Sequence, residues 1–168
     1  METVKDFHTD IFKLFDDHWA VLTAGTPDHF NAMTISWGAL GTLWGPRTQG
    51  RPTATVYVKP SRYTFGFLEK SDYYTISFFP ESHRKDVLKL GTTSGRDGDK
   101  LAQTSLTAKK MSHDTVGFEE ASLTLVCHKL YSDAFKLEQI PEDVAAKYYD
   151  GEEPHHFYIG EIVDFEEA

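Results

Sequence analysis

The sequence predicts a mainly β fold: a small antiparallel barrel, closed or partly open, with short peripheral helices. Six or so β-branched, apolar stretches of strand length recur along 168 residues, and the helical stretches between them are short. The two kinds do not alternate in the strand-helix-strand order that a parallel sheet requires. With 40% apolar and 14% aromatic residues, the chain can bury one core and is too short for two full domains.

Each element has a local reason. Val4, Phe7, Ile11, Leu14 and Phe15 fall at three-to-four spacing, so residues 1–17 read as an amphipathic helix or an arm lying on a domain that runs from 18 to 168. WAVLTAG (19–25) is a strand, TPDHFN a turn, and AMTISWGA the returning strand of a hairpin-like pair. Three glycines and two prolines make GTLWGPRTQGRP (41–52) a loop. TATVYVK (53–59) alternates and stops at Pro60. Ser61 then stands where a helix N-cap belongs, before RYTFGFLEK, a two-turn helix interrupted by Gly66.

YYTISFF (73–79) is a strand closed by Pro80, and ESHRKDVLKLG a helix whose following glycine, Gly91, suggests its stop. TTSGRDGDK is loop, with one further helical turn in DKLAQTS. Residues 121–140 form one long strand, or two joined at Ser132-Asp133. PEDVAAKYY makes a short helix and HHFYIGEIVDF a closing strand.

Composition excludes some classes of function. The net charge is -9, with 26 acidic against 17 basic residues, so nucleic acid is not an expected partner and any anion site must be local. No apolar run approaches the roughly 20 residues of a membrane helix, and METVKDFHTDIFKLF lacks the features of a secretory signal. A soluble, cytoplasmic protein is expected. Cys127 is the only cysteine, and no metal-ligand spacing is visible among the eight histidines.

Three segments carry chemistry. In NAMTISWG (31–38) the polar face of the strand is made only of small side chains, leaving room for something flat against the backbone. In KPSRYT (59–64) a helix start, Arg62 and the hydroxyls of Ser61 and Thr64 form a small phosphate cradle, although an ordinary capped helix uses the same letters. In SGRDGDK (94–100), Gly95 and Gly98 permit positive φ and close backbone approach, and Arg96 and Lys100 supply cations; a flexible turn reads the same way.

NAMTISWG, KPSRYT, YYTISFF, LGTTSGRDGDK and HHFYIGEIV, in that order from about His18 to Val163, resemble the flavin reductase-like family, especially its flavoredoxin branch. The resemblance implies an FMN-binding split β-barrel of Greek-key type, usually a homodimer. It further implies that Asn31, Met33, Thr34, Ser36 and Trp37 line the isoalloxazine. Ser61, Arg62 and Thr64 would hold the phosphate and ribityl chain, and Ser94, Gly95 and Lys100 the same anion or the pyrimidine end. His155 takes the place of a family histidine near the flavin or nicotinamide; alternatives are an exposed pair with His156, or a metal site lacking a nameable third ligand.

Lys100, with His155 second, is the candidate charge near the pyrimidine end. GPRTQG looks like an insertion relative to the family, and Lys59 replaces a common arginine. Cys127 reads as a core residue, and His128 beside it could reach a ligand only if the barrel brings it there.

The implied activity is electron transfer from NADH or NADPH through bound FMN to an acceptor, with no metal. A flavoredoxin-type carrier reduced by a redox partner protein is the alternative. A barrel that binds a ligand without redox turnover is a third reading.

Overall fold

The two edge strands of the main sheet are neighbours in sequence, and that fact shapes the molecule. A computed structural model describes residues 3–168. Its strands are β1 (Ala20–Thr26), β2 (His29–Ile35), β3 (Gly38–Leu43), β4 (Arg51–Val58), β5 (Tyr73–Phe78), β6 (Ala108–Lys110), β7 (Val116–Phe118), β8 (Leu123–Ala134) and β9 (His156–Glu167). Seven of them form one antiparallel sheet in the order β2-β1-β5-β8-β9-β4-β3, while β6 and β7 pair separately.

The outermost strands, β2 and β3, are joined by Ser36 and Trp37 alone. Two linking residues span at most about 11 Å, so the sheet has to curl until its edges nearly meet. The edges are tied covalently but not by hydrogen bonds, and the sheet is a split barrel. AMTISWGA is therefore not a single returning strand: β2 ends at Ile35 and the chain crosses the seam at Ser36-Trp37.

Strand alternation puts side chains on both faces of the curl. Leu22, Ala54, Val56, Tyr74, Ile76, Leu125 and Tyr158 fill the interior. Val21, Ala32, Phe79, Val87, Leu90 and Phe118 form a second cluster. β1 contributes to both, through Leu22 and Val21, because neighbouring residues of a strand point opposite ways.

Four short helices decorate the sheet: α1 (Ile11–Asp16), α2 (Tyr63–Lys70), α3 (Arg84–Thr92) and α4 (Glu142–Tyr148). Among the described residues, none is long and apolar enough to cross a membrane. The N-terminal periodicity resolves into a 3-10 turn, Val4–Asp6, and α1, which docks by Leu14 and Phe15 and leaves Phe12 exposed.

Some boundaries differ from the sequence expectation. Gly41–Leu43 and Arg51–Pro52 belong to β3 and β4, paired as Leu43↔Arg51, so the loop shrinks to 44–50. α2 is capped at Arg62, not Ser61, because the Arg62 amide closes a turn onto the Lys59 carbonyl at 2.9 Å around Pro60. α3 continues through Gly91 to Thr92. That glycine is a packing residue: a Cβ there would lie 2.9 Å from the Cβ of Thr34 on β2. Residues 121–140 contain one long strand, β8, with register shifts at Val126/Cys127 and Lys129/Tyr131. The β6–β7 hairpin has no counterpart in the sequence reading, since three-residue strands carry too little alternation to register.

Candidate functional site

Two cavities open along β2 beside the seam. The first, about 260 Å3, lies among β2, the start of α2, the end of α3 and the 94–100 loop. The second, about 250 Å3, lies between the Met33–Trp37 stretch, the end of β4 and His155. Met33 and Arg62 line both, so the cavities form one bent groove.

The fold gathers the expected residues on this groove. Asn31, Ser61, Thr64, Ser94, Gly95 and Lys100 line the first cavity. Thr34, Ser36, Trp37 and His155 line the second, and Met33 and Arg62 stand at the bend. His128 does not line either cavity; it stacks on Tyr73 at 4.8 Å. Cys127 is fully buried, and burial pushes its thiol up, away from the reactive thiolate.

The first cavity is an anion cradle held rigid from several directions. Arg96 donates to the Ser61 carbonyl at 2.9 Å, tying the turn before α2 to the 94–97 turn. Ser94 accepts from the Arg96 amide at 3.2 Å. Asn31 Nδ2 donates to Thr64 Oγ1 at 2.7 Å, fixing β2 against α2. Gly95 is small because β2 is close: a Cβ there would lie 2.2 Å from Asn31 Oδ1. The positive φ anticipated for both loop glycines occurs only at Gly98, at 132°.

Lys100 is 6% exposed, and its ammonium donates to the carbonyls of Leu90 at 2.8 Å and Thr93 at 3.1 Å. It caps the C-terminal end of α3, where a cation is favoured. Burial, and then the charge of Arg62, lowers its pKa from 10.5 to about 8.

The second cavity is aromatic. Trp37, 41% exposed, packs against His155 with ring centres 4.8 Å apart and meets Tyr148 edge-on at 5.8 Å. Tyr149 Oη lies 2.8 Å from His155 Nδ1. Lys59 donates to the Tyr148 carbonyl at 3.1 Å and pairs with Glu152, holding the end of α4 against the site. Burial, followed by the charges of Lys59 and Arg62, lowers His155 from 6.5 to about 4, so the imidazole is neutral at physiological pH.

Tyr57, Tyr149 and the Leu90–Thr93 backbone also border or brace the groove, and sequence reasoning did not find them. Tyr57 sits in an ordinary alternating strand, and Tyr149 acts through a contact made only in the folded chain. The 44–50 loop does not line either cavity; it reaches toward the N-terminal segment, where Lys5 donates to the Thr48 carbonyl at 3.2 Å. Among the described residues no cluster of ligands suited to a metal occurs.

The groove suits a flat ring joined to a phosphate: guanidinium and hydroxyl donors converge at one end, and small and aromatic side chains leave a slot at the other. The model of the flavin reductase like domain matches residues 13–168. Among solved structures, the chain superposes on an FMN-binding protein from Thermus thermophilus with bound p-hydroxybenzaldehyde, with a TM-score of 0.69 and 19% identity over 100% of this chain and 77% of that one. It superposes on flavoredoxin from Methanosarcina acetivorans with a TM-score of 0.66 and 18% identity, over 89% of this chain and 68% of that one. For flavoredoxin of Desulfovibrio vulgaris (Miyazaki F) the values are 0.66 and 19%, over 89% and 69%. At such identities the structural likeness is one of fold. A comparison with curated proteins found no match.

Proposed function

The chain belongs to the flavin reductase like family, and from that premise we propose that it binds FMN and passes electrons from NADH or NADPH through it to an acceptor. The observation that carries this reading is the groove. Residues from β2, α2, the 94–100 loop and the position just before β9 converge on one path, cationic at one end and aromatic at the other, in a protein of net charge -9.

FMN would supply the acceptance and release of two electrons, chemistry that no side chain here provides. Arg62 and Arg96 hold the phosphate by charge-assisted bonds, with the hydroxyls of Ser61, Thr64 and Ser94 completing its shell. Thr34 and Ser36 form the small face against which the ring lies, with Met33 at the bend and Trp37 as a wall, while Asn31, tied to Thr64, braces the anion end. Gly95 keeps the anion loop close to β2. Lys100 contributes positive potential to the anion cavity, and neutral His155 presents a polar, uncharged edge to the ring cavity.

Anaerobic mixing tests this reading. FMN fluorescence should be quenched on binding, and NADH or NADPH should then bleach the bound flavin. Failure of FMN to bind sinks the proposal. Binding without reduction by either nicotinamide favours an electron carrier filled by a redox partner protein, a reading supported by likeness to two flavoredoxins.

We also propose a homodimer. The edges β2 and β3 are unpaired, and an apolar concavity of about 610 Å3 beside the seam is flanked by exposed Ile11, Phe12 and Trp37. Sedimentation as a monomer at micromolar concentration contradicts it.

A further inference from the structure

Gly66 lies in the middle of α2, where glycine costs about 1 kcal/mol relative to alanine. Among the described residues no tertiary contact explains it: a Cβ at this position would have no atom outside its own helix backbone and chain neighbours within 4 Å. Its backbone does not need it either, since the residue sits in regular helix without positive φ. What it does is line a separate concavity of about 560 Å3 between α2 and the β1–β2 turn.

The walls of this cleft are aromatic. Phe67 packs on His29 with centres 4.9 Å apart and meets Tyr63 edge-on at 5.3 Å. Its rim is cationic, with Arg62, Lys70 and Arg96, and among the described residues no Asp or Glu lines it, although the chain has 26 acidic residues against 17 basic ones. Arg62, Tyr63 and Arg96 also line the anion cradle, so the cleft begins where that cradle ends. Arg96 lies over the Tyr63 ring at 5.2 Å, a cation held at the boundary between the two.

We propose that this cleft takes an adenylate group, its base over Gly66 between the aromatic walls and its phosphate shared with Arg62 and Arg96. The inference rests on the flavin reading, because it treats the adjoining cradle as a phosphate site. Two molecules could bring the group: a flavin dinucleotide, whose adenylate continues from the flavin phosphate, or a nicotinamide dinucleotide bound beside FMN. A planar base needs the flat floor that glycine leaves, and its stacking tolerates varied ring geometry.

Gly66→Leu fills the floor with a better helix former, and Gly66→Ala restores helix propensity while leaving most of the space. Thermal melts of both should equal or exceed the parent's, which separates filling from misfolding. Titration calorimetry with adenosine 5′-phosphate, FAD, FMN and NADH (the last with FMN present) reads the cleft. Adenosine 5′-phosphate should bind the parent chain and lose about tenfold or more in Gly66→Leu but not in Gly66→Ala. If the flavin carries the adenylate, FAD binds about tenfold tighter than FMN, and Gly66→Leu erases the difference with FMN affinity unchanged. If the nicotinamide dinucleotide carries it, FAD and FMN bind equally and Gly66→Leu weakens NADH. Unchanged binding of all three adenylates in Gly66→Leu overturns the inference while FMN binding keeps the flavin reading. Loss of adenylate binding in a chain that takes up no FMN does the reverse.

Discussion

The two ends of the groove are built on different principles. At the anion end three of the polar side chains are engaged in hydrogen bonds that tie the surrounding segments together: Arg96 on the Ser61 carbonyl, Lys100 on Leu90 and Thr93, Asn31 on Thr64. At the ring end the walls are side chains resting on one another, with Trp37 and Tyr148 each 41% exposed and with the Lys59 contacts, the Tyr149–His155 bond and the Thr34 hydroxyl on the Val87 carbonyl as polar anchors. A preorganised end supplies affinity with little ordering on binding, while a stacked, half-exposed end can accommodate rings, acceptors or partners of different shape.

Arg62→Ala tests the anion end most directly. Arg62 is exposed and lines both cavities, so the fold should persist while FMN affinity falls about ten- to a hundredfold, read by fluorescence quenching. An unchanged affinity would remove the anion end from the account.

Gly95→Ala tests the rigidity of the same end. The new methyl meets Asn31 Oδ1, so unfolding free energy should drop by about 1–3 kcal/mol in urea titration. Flavin affinity should fall with it.

His155 probes the ring end through pH. Its folded pKa is depressed to about 4, so between pH 6.5 and 4 the unfolded chain takes up a proton that the folded chain refuses. Stability therefore falls as pH drops through that window, by less than the roughly 3.4 kcal/mol of the full shift because solvent screens the half-exposed ring. In His155→Asn that part of the slope should vanish from denaturation curves measured at several pH values.

Trp37→Ala should weaken FMN by about three- to tenfold, less than Arg62→Ala, because it removes one stacking wall and no charge. The smallest effect belongs to the tip of the β3–β4 hairpin. Replacing 44–50 with a two-residue Asn-Gly turn keeps the Leu43↔Arg51 pair and should leave FMN affinity within about twofold.

Much of the architecture is legible in the sequence. Alternation in 53–59 marks β4, because a half-buried strand writes period two into its own letters, and the β-branched and aromatic run at 73–79 marks β5, which is buried on both faces. The small polar face of 31–38 and the cationic turns at 59–64 and 94–100 mark candidate segments, because a flat anion restricts side-chain size and charge locally, but their convergence on one groove is not written in the letters. Boundaries set by distant contacts were not legible. Gly91 looks like a helix stop and is instead a point of contact with Thr34. Ser61 looks like a cap, yet the turn closed by Lys59 moves the helix start to Arg62.

What the letters alone determined was the local conformation of most strands, the acidic surface and the residue types available to hold a phosphorylated ring, since each depends on neighbours within a few positions. Tertiary structure alone decided that β2 and β3 would be opposite edges joined by Ser36 and Trp37, that four separated segments would share one groove, and that Tyr149 would reach His155. Those outcomes depend on how the sheet curls and in what order its strands pair, and strand order is a property of long-range burial that no short stretch of sequence encodes.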